Sequence, residues 1–278
     1  MTLIERVQKI ADSLTGTEGR LVTELMQSPR EIALGTSAEF AARIGAHEAT
    51  TSRLARKLGF DSYAAFRDHL RAEFLTNASP SHRVAQTLSG THETGFLPHL
   101  ITEEIAALTR LSDYVQDSQI IAAARMLNRP RVFLFARGNA EALAVLMDRR
   151  LRRMGVATVL LRGDARDLAE QMLTLNGDDA VLLFAFRRQP RDYARIIGLA
   201  QDRGAATLAI SGSLGPALAP APDLLLAAPR SGARDGFQTL TVPMAVCNAL
   251  VLALAAERGE AALEILGKLG SLIASFES

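Results

Sequence analysis

Residues 36–60 read TSAEFAARIGAHEATTSRLARKLGF, and within them His47, Thr50, Thr51, Ser52, Arg53, Arg56 and Lys57 crowd hydroxyls, an imidazole and cations into eleven positions. Hydroxyls near the start of a helix suit base edges and phosphates, and Arg and Lys further along neutralise a charged backbone. Thr50, Thr51 and Arg53 are therefore the candidates for base edges, and His47, Arg56 and Lys57 for phosphates. A second cationic group lies far along the chain, with Arg137 in one segment and Arg187, Arg188 and Arg191 in another. Guanidinium groups read carboxylate or phosphate bidentately.

Two short helices with a tight turn would position the first group. Thr36 and Glu39 have the Thr-x-x-Glu spacing of a capping box. Phe40, Ala41 and Ile44 follow on one face, and Gly45 supplies a left-handed turn. The second helix starts near His47, with Ala49, Leu54 and Leu58 available to pack, and Gly59 is placed to close it. A purely structural hairpin would show the same small residues and glycine turn. Helices are also expected over about 2–13, from Thr17-Glu18 to Ser28-Pro29, and over 62–75, where Tyr63, Phe66, Leu70 and Phe74 share a face. Residues 77–95 are polar and turn-rich and read as a linker that can carry a short helix. Helices over 97–114 and 116–128 come next.

From Arg131 the periodicity changes. Short apolar runs at 131–136, 156–161, 179–186, 205–211 and 223–228 alternate with helical stretches to about 153, at 165–175, 191–203 and 237–256. Unalternating strands separated by helices imply a parallel sheet covered on both faces. The expected fold is thus an all-α helix-turn-helix domain followed by an α/β doubly wound domain. The boundaries are 1–76 for the first domain, 77–96 for the linker and 97–278 for the second. In such sheets ligands bind beyond the carboxyl ends of the strands, so loops 136–141, 186–191, 211–216 and 229–239 should line a crevice.

Composition narrows the function classes. The chain has 278 residues, is 48% apolar and carries a formal net charge of +1. It can fill a sizeable core, and it is no general polyanion binder. The charge is distributed unevenly: Arg43, Arg53, Arg56, Lys57, Arg67 and Arg71 make residues 43–71 locally basic. The single cysteine, Cys247, excludes a disulfide framework, fits a reducing cytoplasm and reads as a small buried hydrophobe. MTLIERVQKIADSL lacks the apolar core of a secretion signal, and Val242–Ala256 reads as too short and interrupted to span a bilayer. All five histidines precede residue 100, without metal-ligand spacing, so no metal or cofactor is expected. No nucleophile elbow, dinucleotide fingerprint or paired-carboxylate site stands out; Asp164, Asp167 and Glu170 read as helix-opening acids.

The run AEFAARIGAHEATTSRLARKLGF resembles the N-terminal helix-turn-helix of the RpiR/MurR family of bacterial transcriptional regulators. His47 stands where the family usually has a helix-capping Ser. Beyond about residue 97 the layout resembles the sugar isomerase (SIS) domain of the same family. The first SIS loop, usually Gly-x-Gly-x-Ser, is here Ala136-Arg137-Gly138-Asn139-Ala140. The third strand, usually ending Ser-x-Ser-Gly-x-Thr, ends Ala185-Phe186-Arg187-Arg188-Gln189-Pro190. Ser211, Leu214-Gly215-Pro216-Ala217-Leu218 and Asp223 match the fourth strand better, and Thr239 replaces a Ser before the last helix.

The resemblance implies operator DNA, a homodimer or homotetramer, and a small effector in the crevice, with neither catalysis nor a membrane. The phosphosugar hydroxyls are lost and guanidinium groups gained. The implied effector site is then Arg137, Gly138, Asn139, Arg187, Arg188, Ser211 and Thr239, selecting an anion. Arg187 and Arg188 equally suit a subunit interface. An aldose–ketose phosphate isomerase would need a crevice base and the full hydroxyl set, and an SIS domain serving only for dimerisation is the third reading.

Overall fold

The structure, a computed structural model, describes residues 3–10, 13–70, 80–91, 95–212, 214–232 and 236–277. The chain folds as two compact units, one of residues 1–95 with 233–237 and one of 96–232 with 238–278.

The first unit is helical: α1 Leu3–Ile10, α2 Gly16–Gln27, α3 Pro29–Leu34, α4 Ser37–Ala42, α5 Glu48–Lys57, α6 Tyr63–Leu70 and α7 Pro80–Thr91. Leu3, Leu21, Leu25, Ile32, Phe40, Leu54, Leu58, Phe66 and Leu70 form its core. Two reciprocal caps start its helices. Thr36 and Glu39 cap α4 as their spacing implies, but α2 is capped by Thr15 with Glu18, two residues before the expected opening at Thr17. Helix α3 is an addition to the expected set; Pro29 sits at its first position, where a missing N–H costs nothing. Phe74 lies outside the described residues. The polar 77–95 stretch carries a three-turn helix, α7, longer than its turn-rich composition suggests.

The second unit holds five parallel strands: β1 Arg131–Phe135, β2 Ala157–Leu161, β3 Ala180–Ala185, β4 Ala206–Ser211 and β5 Leu224–Ala227, in the order β2-β1-β3-β4-β5. Its helices are α8 Phe96–Thr109, α9 Leu111–Tyr114, α10 Asp117–Leu127, α11 Glu141–Arg153, α12 Ala165–Met172, α13 Tyr193–Asp202, α14 Thr241–Arg258 and α15 Glu260–Glu277. Strand side chains alternate between two cores. Val132, Leu134, Leu182, Phe184, Leu208 and Ile210 pack with α10, α11 and α14, while Phe133, Phe135, Val181, Leu183 and Ala209 pack with α12 and α13. The central strands β1, β3 and β4 are buried on both faces, which is why their runs read as continuous rather than alternating.

The structure corrects two expectations. The helical pattern in the sequence stops near Ala256, yet Gly259, at φ 54, turns the chain into a further 18-residue helix, α15. The segment around Val242–Ala256 belongs to α14, which is long and apolar enough to cross a bilayer by length and composition. Its Val242, Val246, Cys247, Leu250 and Leu254 are instead buried in the core beside α10 and the sheet. Burial pushes the Cys247 thiol up to about 12, as for a packing residue without reactivity.

Candidate functional site

In the helical unit the turn and cap of α5 are built as the sequence implies. Gly45 has φ 66, a conformation that a β-carbon would strain. His47 occupies the cap position, and its Nδ1 accepts from the Ala49 amide at 3.2 Å. The imidazole thus does the work of the usual Ser. Accepting through Nδ1 leaves the neutral ring's proton on Nε2, a donor on an exposed side chain. At the other end, Arg6 of α1 donates to the Leu58 carbonyl at 2.9 Å and stacks 4.5 Å above Phe60, closing α5 with a cation.

The outward face of α5 is rotated from expectation. Thr51 is 1% exposed and donates to the Glu48 carbonyl at 2.7 Å, so it cannot reach a base edge. Thr50 is also buried; its hydroxyl accepts from Arg53 at 3.2 Å and steers that guanidinium. Ala49, assigned to the packed face, is exposed, as are Arg53 and Arg56, with Ser52 partly so. Thr51 and Thr50 stand three and four positions before Leu54 and so share its buried face, a phase the sequence contains. Lys57 is likewise committed elsewhere: it pairs with Glu18 at 2.9 Å and donates to the Ser13 carbonyl. The Thr15 amide, helped by Lys57, holds the Glu18 carboxyl below its usual range despite some burial.

In the α/β unit, β1 and β3 lie side by side while their crossovers diverge to opposite sides, which opens a crevice at their carboxyl ends. Arg137 follows β1 and lies over Phe135, 4.9 Å from the ring centroid. It is not offered to solvent as a free cation. It pairs with Asp192 at 3.0 Å and donates to the Gly163 carbonyl at 3.1 Å, so it ties together the loops after β1, β2 and β3. Gly138 has φ 63, and its amide donates to the Glu141 carboxylate at 3.0 Å. Both donors expected to meet an anion therefore carry a carboxylate of the protein itself. Asn139, Arg187, Arg188 and Arg191 are exposed on the same loops. Gln189 clamps the loop after β3, exchanging two 2.9 Å hydrogen bonds with Ala219.

Ser211 and Thr239 also depart from the expected role. Ser211 is buried and donates to the Ala185 carbonyl across β3 and β4. Thr239 donates to Glu104 of α8, and Ser231 donates to the same Oε1 at 2.7 Å. Neither hydroxyl is a spare donor. Beside this group Arg230 lies over Phe186, 5.1 Å from the ring centroid, and donates to Gln238 at 2.7 Å. Sequence reasoning missed Asp192, Glu104, Ser231 and Arg230. Their partners lie 55, 127 and 135 residues away, or across an irregular loop, where no local spacing announces them. Glu141 is the exception, since an acid three residues after a glycine turn is a readable cap. Among the described residues no group of three or more metal-ligating side chains could hold an ion.

Residues 1–77 match the helix-turn-helix domain of the rpiR family, and residues 125–253 match the SIS domain. The bifunctional protein glk of Burkholderia thailandensis is 26% identical over 216 residues, covering 77% of this chain and 33% of that protein. The chain thus spans about a third of the length of such curated relatives. An uncharacterized HTH-type transcriptional regulator of Haemophilus influenzae is 22% identical over 215 residues, 76% of this chain and 74% of that protein. The sugar isomerase domain of an RpiR transcription factor from Sphaerobacter thermophilus superposes with a TM-score of 0.56 at 25% identity, covering 62% of this chain and 96% of that one. The NanR protein of Vibrio vulnificus, solved with ManNAc-6P, shares the fold over 99% of both chains, with a TM-score of 0.57 and 15% identity. An rpiR-type helix-turn-helix and an SIS domain in one chain identify it as a member of the RpiR family of transcriptional regulators.

Proposed function

We propose that the helical unit reads operator DNA through α5, and that the SIS crevice senses a small anionic metabolite, a sugar phosphate or a carboxylate. The observation that carries the first half is the outward face of α5. Ala49, Ser52, Arg53 and Arg56 stand on one side, His47 caps the start, and the opposite side is packed. Arg53, steered by Thr50, and Ser52 take base edges; His47 Nε2 and Arg56 take phosphates. The Haemophilus relative, named as an HTH-type regulator, supports this reading, and NanR, of the same fold and solved with ManNAc-6P, supports a phosphorylated sugar as effector. Arg137, Arg187 and Arg188 remain the proposed anion contacts, with the amides of Gly138 and Asn139 beside them. The effector must compete there with Asp192 and Glu141. Such a regulator acts in the cytoplasm, on transport or catabolic genes.

The α/β unit also presents apolar surface suited to self-association. Phe96, Leu97, Ile101 and Ile105 on α8 and Leu263, Leu272 and Phe276 on α15 are exposed, Phe276 at 88%. Exposed apolar side chains at this density mark an interface, and the proposed assembly is a homodimer or homotetramer. The test of function is fluorescence anisotropy on DNA flanking the encoding gene, with and without sugar phosphates. The reading requires saturable, salt-sensitive binding to one fragment over a scrambled control, altered by at least one phosphorylated sugar or carboxylate. Equal affinity for both DNAs would remove it.

A further inference from the structure

We infer that Glu104, with Ser231 and Thr239, forms a hydroxyl-accepting subsite of the effector crevice, one that takes the carbon chain of a phosphorylated sugar and not its phosphate. This rests on the crevice being a sugar-phosphate site. Ser231 and Thr239 both lie on the crossover from β5 to α14, at the carboxyl end of the sheet, and Glu104 comes to them from α8. The two hydroxyls donate to the same oxygen, Oε1, at 2.7 Å for Ser231. The Thr239 hydroxyl also accepts from the Thr241 amide at 3.2 Å. Oε2, in contrast, is shut away from water and has no hydrogen-bond partner.

A carboxylate oxygen in that state has given up water without gaining a donor, an unfavourable arrangement unless another group supplies the hydrogen bond. With the Ser231 and Thr239 protons on Oε1, and the Thr241 hydroxyl 3.2 Å from Thr239 Oγ1, none of the hydroxyl contacts in the cluster serves Oε2, which stands as an acceptor. A phosphate or carboxylate would meet repulsion here. A sugar hydroxyl brings its own proton, and it reaches Oε2 by parting the contacts that close that oxygen off from water. Geometry agrees with the division of labour: β5 lies two to three strand spacings from the β1/β3 opening, about 12 Å across the sheet.

The test uses the full chain, with glucose 6-phosphate, N-acetylmannosamine 6-phosphate and inorganic phosphate as probes in calorimetric titration. Glu104→Met removes both oxygens at similar length, and Glu104→Gln keeps one acceptor and the fold of the cluster. The sugar phosphates should bind the wild type more tightly than inorganic phosphate does. Glu104→Met should lose about tenfold to a hundredfold of that preference, and Glu104→Gln part of it, with inorganic phosphate affinity unchanged within about twofold. If both variants keep the wild-type preference, Glu104 only staples α8 to the β5–α14 crossover and the subsite is wrong, while the sugar-phosphate reading stands. If the wild type binds neither sugar phosphate better than inorganic phosphate, that reading fails and takes the subsite with it.

Discussion

Arg56 and Lys57 are adjacent cations on α5 that the structure sends to different tasks, and replacing each by Ala should separate them. Arg56 is exposed, whereas Lys57 is folded back onto Glu18 and the Ser13 carbonyl. A phosphate contact contributes about 0.9 to the slope of log affinity against log salt. Across a fourfold salt range, from about 50 to 200 mM, that is about a 3.5-fold difference in lost affinity. Arg56→Ala should therefore lower affinity at low salt and flatten the slope by about 0.9, without changing thermal stability. Lys57→Ala should leave the slope within about 0.3 of wild type and act on stability instead. Its pairing with a mostly buried carboxylate contributes about 1–2 kcal/mol, which for a helical module of this size lowers the melting point by several degrees. The assay pair is anisotropy across a salt series and thermal unfolding of the same proteins. A Lys57→Ala variant that loses about 0.9 of slope would show that Lys57 abandons Glu18 for the DNA backbone, and the rigid reading of α5 would be refuted.

The remaining predictions concern three other contacts. Glu18 has its carboxyl pKa lowered from 4.5 by the Thr15 amide and Lys57, so its contribution is present above that value and lost as pH falls through the folded value. Unfolding of the helical unit should thus be steeper in acid for wild type than for Glu18→Gln, and parallel pH profiles would discount this cap. Asp192→Asn should release Arg137 and raise affinity for inorganic phosphate about two- to fivefold; unchanged affinity by calorimetry would exclude Arg137 from anion binding. Leu272→Glu and Ile105→Glu should each shift the sedimentation equilibrium toward monomer. Wild-type association in both would put the interface elsewhere.

The strands are legible because each is a short run of apolar residues with a glycine or polar break after it. A sheet buried on both faces leaves no other pattern. Caps are nearly as clear: Thr36 with Glu39, and Asp164 with Asp167, act within three residues of each other. Helix α15 is hidden by its own composition. Gly259 precedes it, Gly267 and Gly270 punctuate it, and Leu263, Leu272, Ile273 and Phe276 face solvent in the single chain. On the proposed assembly, such a helix is completed only against a partner, and its pattern is weak in one chain. Helix α5 shows a different failure. Its type and limits are readable, yet its rotation differs by about one position from the expected one, because threonine reads as a surface residue. Thr51 satisfies its hydroxyl on the Glu48 carbonyl and can be buried at little cost.

The crevice is the least legible part, for a reason that follows from electrostatics. A guanidinium in sequence announces that an anion is wanted but not which one. Arg137 finds Asp192, 55 residues on, and Gly138 finds Glu141 in the next turn. Composition is blind to either arrangement, since net charge counts the acid and the base wherever they sit. Only topology brings β1 and β3 side by side and makes the pair. The same holds for Glu104, which belongs to α8 by sequence and to the β5–α14 crossover by contact. On the proposed reading, a crevice whose donors already hold internal carboxylates would respond to an effector by exchange rather than by simple filling. The affinity it shows is then the difference between two anions competing for one arginine, and the Asp192→Asn measurement reads that difference directly.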